Sequence, residues 1–295
     1  MSAETAQLQT QDVPGRSLWV DAWRMLRSNR AAVISAIVIG GMSVLVIVGP
    51  WFSPYSYDFT DWSNLSIGPS AQTGHIFGTD TLGRDLFVRT LYGGRISLMV
   101  GVVATIVSLT IGISYGATAG YLGGRLDHIM MRIVDILYAL PFMFLVILLM
   151  VFFGRNILLI FVAIGAINWL DMARIVRGQT LSLKHKEFVE AAVAQGVGTF
   201  AILRRHIVPN LLGVVVVYVT LTIPQVILVE SFLSFLGLGV QEPMTSWGAL
   251  VKDGAEELES APWLLIFPAA FLATALFCFN FLGDGLRDAL DPKDR

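Results

Sequence analysis

Long apolar runs dominate this chain, and six of them approach or exceed the roughly 20 residues needed to cross a bilayer as a helix. They lie at about 31–52, 95–119, 130–153, 156–173, 210–239 and 263–283. The third and fourth carry an acid near one end, Asp135 and Asp171, and the fifth is long enough to tilt or to extend past the membrane. Pro141, Pro224 and Pro268 fall inside runs. Kinks there are tolerated where neighbouring helices satisfy the freed carbonyls. The pattern predicts an all-α, polytopic membrane protein with six transmembrane helices.

Composition supports lipid as the main solvent. Hydrophobic residues make up 55% and charged residues 14%, against about 25% charged in soluble domains. The net charge of −2 gives no basic excess of the kind a nucleic-acid surface carries. The first run follows a polar segment, 1–30, and is too long for the apolar region of a cleaved signal; it reads as a retained span.

Lysine and arginine set the orientation. With the N-terminus inside, inner segments hold 15 of the 20 and outer segments 5. The positive-inside rule therefore places both termini in the cytoplasm. The predicted organisation is a cytoplasmic segment 1–30, a first span 31–52 and an outer, periplasmic loop 53–94. A five-helix core 95–283 follows, containing a cytoplasmic loop 174–209 and an outer loop 240–262, and the cytoplasmic tail is 284–295. Within the first outer loop, Leu82, Leu86, Arg89 and Thr90 are spaced as in a short helix lying on the membrane surface. The second outer loop is acidic at Glu256, Glu257 and Glu259. No soluble catalytic domain and no repeat period stands out.

Little in the chain points to covalent chemistry. The single cysteine, Cys278, sits in an apolar run and excludes an internal disulfide. His75, His128, His185 and His206 are scattered without metal-ligand spacing. Glycine pairs such as Gly123-Gly124 precede no lysine, so the Gly-Lys-Ser/Thr of a nucleotide-binding loop is absent. Two acids lie inside runs, Asp135 and Glu230. Intramembrane charges are functional candidates by default, so both are possible pore or gate residues, with a structural bond to a neighbouring helix the plainer alternative. Arg204 and Arg205 read as topogenic charges.

The most informative stretch is Glu190-Ala191-Ala192, then Gly196, then His206-Ile207-Val208-Pro209. Residues 184–197 are rich in helix formers and lack proline, which predicts a short helix in the cytoplasmic loop. The alanines give it a surface of little bulk, Gly196 permits a tight turn, and Pro209 suits the first turn of the fifth span. Such a helix can pass a push from a soluble partner into the membrane.

Glu-Ala-Ala, three residues, Gly, nine residues, then a hydrophobic-x-hydrophobic-Pro resembles the signature of permease subunits of binding-protein-dependent ABC importers. His206 replaces the family's usual aliphatic residue, as in the peptide-transporting branch, and is given no proton chemistry. Further blocks match the peptide and nickel branch: Phe77-Gly78-Thr79-Asp80, Gly83-Arg84-Asp85, Gly94-Arg95-Ile96-Ser97-Leu98, Leu233 to Gly239, Ser246-Trp247-Gly248 and Gly283 to Pro292. Over nearly its full length the chain resembles the C-type inner-membrane subunits of oligopeptide permeases.

That resemblance implies an ATP-driven peptide importer in which this chain is a non-catalytic half of a heterodimeric pore. Its implied partners are a homologous second permease subunit, one or two cytoplasmic ATPase subunits, a periplasmic peptide-binding protein, lipid and peptide. ATP and Mg would sit on the ATPases, with no cofactor here. Glu190, Ala191, Ala192, Gly196 and Pro209 would couple ATPase closure to alternating access. Two rivals stand beside it. A permease for dipeptides, nickel or murein peptides shares most of the blocks. A proton-coupled secondary transporter relaying through Asp135 or Glu230 would need inverted repeats that the sequence does not display.

Overall fold

A computed structural model describes residues 18–154 and 157–290. The start of the polar N-terminal segment, Arg155 and the last five residues of the tail lie outside the described residues. Helices follow one another without a strand among the described residues, apart from two isolated bridges, Ser70–His75 and Thr79–Asp85. They are α1 (Leu18–Ser28), α2 (Arg30–Val48), α3 (Leu86–Leu122), α4 (Gly124–Ala139), α5 (Phe142–Phe153) and α6 (Ile157–Leu183). Then come α7 (Glu187–Ala194), α8 (Thr199–Ile202), α9 (Val208–Phe235), α10 (Trp247–Glu256) and α11 (Trp263–Leu290).

Four helical segments among the described residues are long and apolar enough to cross a membrane: Arg30–Trp51, Leu86–Leu122, Thr199–Phe235 and Trp263–Leu290. Helices α4 and α5 together make a fifth if their bend of 83° is one broken span. The expected fourth span lies in α6, 27 residues long, so the architecture is consistent with six. Segment Arg30–Trp51 has a mean hydropathy of 2.7, yet only 17% of its most apolar window is buried. Ile34, Ile37 and Val44 project outward. A helix this apolar with its side chains outside is stable only in hydrocarbon.

The centre of the bundle is the α3–α6 seam. Ala104, Ser108, Gly112, Gly116 and Gly120 recur every four residues along α3, and all are buried. A Cβ on Gly116 would meet the Ala173 carbonyl oxygen at 2.4 Å, and one on Gly112 would meet Met172 at 2.5 Å. Without a hydrophobic drive between helices in lipid, such small-residue stripes let backbones touch and dispersion act. Helix α9 packs beside this pair, with Ile96, Val100 and Ala104 of α3 against Val226 and Leu233. Helices α2 and α11 close the far side, where Gly285 abuts Ala32.

One end of the bundle is capped by the loop 53–85 and by α10. Asp85 stops the loop and starts α3 by accepting the Val88 N–H at 2.9 Å, an N-cap that satisfies one of the helix's orphan donors. The expected surface helix over 82–91 is therefore absent as a separate element: from Leu86 onward it is the first turns of α3, because the cap lets one helix run through the interface. Three other expectations shift. The third run is broken at Pro141, where the ring forbids continuation of α4. The fifth begins at Thr199, not at 210. The sixth runs on through Leu290, taking most of the expected tail into α11.

Candidate functional site

Helix α7 spans eight residues, shorter at both ends than the 184–197 expected. Its inner side, Val189 and Ala192, packs on Met172, Val176, Ile202, Ile207 and Leu211. Its outer side carries Glu187, Glu190, Ala191 and Ala194, all exposed, at the three- and four-residue intervals that share one helix face. The alanine pair is therefore split. Successive residues point about 100° apart on a helix, so Ala191 faces out while Ala192 is part of the core. Phe188 and Phe200 add exposed aromatic surface beside this face.

Gly196 ends α7 with φ +77. Its N–H donates to Val193 O at 2.9 Å, and the Val197 N–H donates to Ala192 O at 3.0 Å. This pairing is the Schellman stop, which needs a left-handed residue at this position. Three residues later a new helix starts and runs without a break from Thr199 to Phe235, passing through a π-helical turn at Leu203–Ile207. Pro209 stands in the first turn of α9, as expected, but that turn follows directly on the π-helical one. The wider turn accommodates a residue that cannot donate, and it explains how proline sits inside a continuous helix. The signature residues are thus brought to one end of the bundle, with α7 linked by one tight turn to a helix that crosses it.

The two acids predicted inside the runs have opposite surroundings. Glu230 is completely buried. Its carboxylate accepts the Ser97 hydroxyl at 3.1 Å and the Ser234 hydroxyl at 2.7 Å. Ser246 Oγ donates to Ser234 Oγ at 3.2 Å, and Ser97 Oγ accepts the Trp247 N–H at 3.2 Å. Helices α3, α9 and α10 meet in this cage. Asp135 is instead exposed on α4 and pairs with Arg174 at 2.9 Å, whose guanidinium lies 4.4 Å from the Tyr138 ring centroid.

Sequence reasoning missed three polar groupings. At the capped end Arg84 bonds Asp80 at 2.7 Å and Glu242 at 3.0 Å. Burial works against the Arg84 charge, but these two carboxylates outweigh it and hold the guanidinium above its ordinary range. Nearby, burial pushes the Asp253 carboxyl up. At the signature end Arg177 grips Asp127 with two bonds, 2.7 and 2.6 Å, tying α4 to α6. Between the α4–α5 bend, α6 and α9 lies a cavity of about 340 Å³, lined by Tyr138, Leu140, Leu145, Asn168, Asp171 and Val229. Only the run-end position of Asp171 hinted at it in sequence. No cluster of three or more potential metal ligands occurs among the described residues.

Residues 108–295 match the family described as binding-protein-dependent transport system inner membrane component. This chain belongs to that family. Residues 17–69 match a second family, the N-terminal TM domain of oligopeptide transport permease C. The inner membrane component is 63% identical over 284 residues to the oligopeptide transport system permease protein OppC of Escherichia coli K12, covering 96% of this chain and 94% of that protein. It is 59% identical to OppC of Haemophilus influenzae, covering 98% and 93%, and 48% identical to the dipeptide transport system permease protein DppC of Bacillus subtilis, covering 96% and 88%. It is accordingly a multi-pass, non-catalytic permease component of the oligopeptide-permease type.

Proposed function

We propose that this chain is one half of a heterodimeric pore in an ATP-driven peptide importer, and that α7 couples ATPase closure to alternating access. The observation that carries this reading is the outward face of α7, where Glu190 stands among the small side chains of Ala191 and Ala194 with Phe188 and Phe200 beside them. A single Gly196 turn joins that face to a membrane-crossing helix. A surface of this shape suits a groove on a soluble partner, and the short, capped connection leaves little slack to absorb a push. Both termini and α7 would face the cytoplasm, with the capped end outside to receive a peptide-binding protein. ATP and Mg would be held by one or two ATPase subunits. Ala192 would seat α7 on the bundle and Pro209 would fix the turn through which the push travels. Glu230 would hold the outer gate through its serine cage, and Asp135 would set the attachment of α4.

Co-purification in mild detergent tests the assembly. A homologous permease and at least one ATPase in fixed stoichiometry supports it; a chain that emerges alone and moves substrate without ATP overturns it. Glu190→Lys and Gly196→Asp should each lower peptide uptake more than tenfold while membrane insertion stays intact. Full uptake by either variant would sink the coupling role of α7.

A further inference from the structure

Asp171 is an acid of α6 that lines the cavity at the α4–α5 bend and is only partly buried. The cation nearest in sequence, Arg174, is engaged by Asp135 at 2.9 Å, and Arg177 is engaged by Asp127. No ion pair to Asp171 occurs among the described residues. One turn earlier, Asn168 donates its Nδ2 to Ile164 O at 2.9 Å, and among the described residues no hydrogen bond to its side-chain oxygen occurs. Tyr138 of α4 also lines the cavity, with the Arg174 guanidinium over its ring, and Tyr218 of α9 lies within electrostatic reach. The remaining walls are aliphatic: Leu137, Leu140, Leu145, Ile167, Leu170 and Val229.

Ionisable groups in membrane helices pair with one another or mark substrate and ion paths, and no described cation pairs with Asp171. The cavity, about 340 Å³, falls at the small end of ligand sites. It has room for one end of a peptide, not a long one. The aliphatic walls accept varied side chains without reading them. The one cation that unmodified peptides share is the α-ammonium group. We infer that this cavity is a transit site for the amino-terminal end of a peptide, with Asp171 as the counter-charge and the Asn168 oxygen as a second acceptor. The inference rests on the importer reading above and names the part of the chain that its substrate touches.

The test uses the assembled transporter in proteoliposomes with its binding protein. Asp171→Asn removes the charge at nearly constant shape. It should lower turnover of trialanine at least tenfold and leave turnover of the des-amino analogue, propionyl-Ala-Ala, within twofold of wild type. Asp171→Glu should recover part of the loss. Unchanged trialanine turnover in Asp171→Asn overturns the site, and so does an equal loss for both peptides, which would mark a structural role. Accessibility gives a second measure that needs no transport. On a Cys278→Ser background, Asp171→Cys should react with a charged, membrane-impermeant thiol reagent in at least one nucleotide state, and trialanine should slow that reaction. No labelling in any state overturns it. ATP-independent uptake by the wild-type assembly would instead sink the importer reading, so the two failures are distinguishable.

Discussion

The capped end and the α4–α5 limb are built from the same kinds of residue and held in opposite ways. At the capped end Trp247 is fully buried, with its indole N–H on Thr90 O at 2.9 Å, and a Cβ on Gly248 would strike Ser231 at 2.4 Å. Arg95 reaches back to the carbonyls of Val46 and Ile47. Backbone contact, a buried aromatic and buried ion pairs lock α2, α3, α9 and α10 into one body. In α4 only Asp127 and Val134 are buried, and the helix is moored by two ion pairs and then broken at Pro141. The Arg84–Asp80 pair is 8% and 10% exposed, whereas Arg174–Asp135 is 41% and 53% exposed. Identical chemistry therefore has different weight at the two ends. The capped end is held by burial and backbone contact, the far end of the limb by an exposed pair.

The comparison breaks most plainly at Gly248. Replacing it with valine drives a branched side chain into the Ser231 backbone, and overpacking of this kind costs about 3 kcal/mol or more when the contact is backbone. The expected outcome is a large drop in the thermal midpoint in detergent, and a midpoint near wild type would show that α10 is loosely seated. Arg84→Met removes the nearer of two arginines at buried Asp80, leaving Arg89 at 3.5 Å, a loss of up to about 3 kcal/mol for a broken buried pair, read by the same melt. For contrast, Asp135→Asn removes an exposed pair worth at most about 1 kcal/mol. Its melt should barely move, while amide exchange along α4 quickens and that of α10 stays fixed. Equal stability losses for Arg84→Met and Asp135→Asn would erase the distinction between the two ends.

The smallest effect concerns pH. Burial raises the Asp253 pKa, so the ionised form subtracts stability above that raised value, and the deficit disappears as pH falls through it. Asp253→Asn should therefore melt at or slightly above wild type at neutral pH, with the two midpoints converging on acidification. A lower midpoint for the variant at neutral pH would mean that the neighbouring arginines, including Arg84, outweigh burial.

Much of the architecture was legible because lipid makes local demands. A span must carry its own apolar length and satisfy its own backbone, so runs in the sequence translate directly into helices such as Arg30–Trp51. The signature was equally local: α7 stops where the N–H groups of Gly196 and Val197 donate to Val193 O and Ala192 O, all within six residues. Boundaries were less legible. The Asp85 cap lets α3 begin at Leu86, and the π-helical turn before Pro209 lets the helix that continues into α9 begin at Thr199, both well before the apolar runs do, since apolarity records where lipid is and not where the helix starts.

By itself, then, the sequence determined the helical class, the number of apolar runs, the positive-inside charge bias and the family signature, each a property of neighbours along the chain. The tertiary structure alone decided what each acid means. Glu230 meets Ser97 across 133 positions of chain, Asp135 finds Arg174 on another helix, and Asp171 is left facing a cavity. A carboxylate's role depends on the dielectric and the partners around it, and those are supplied by helices far apart in sequence that only packing brings together.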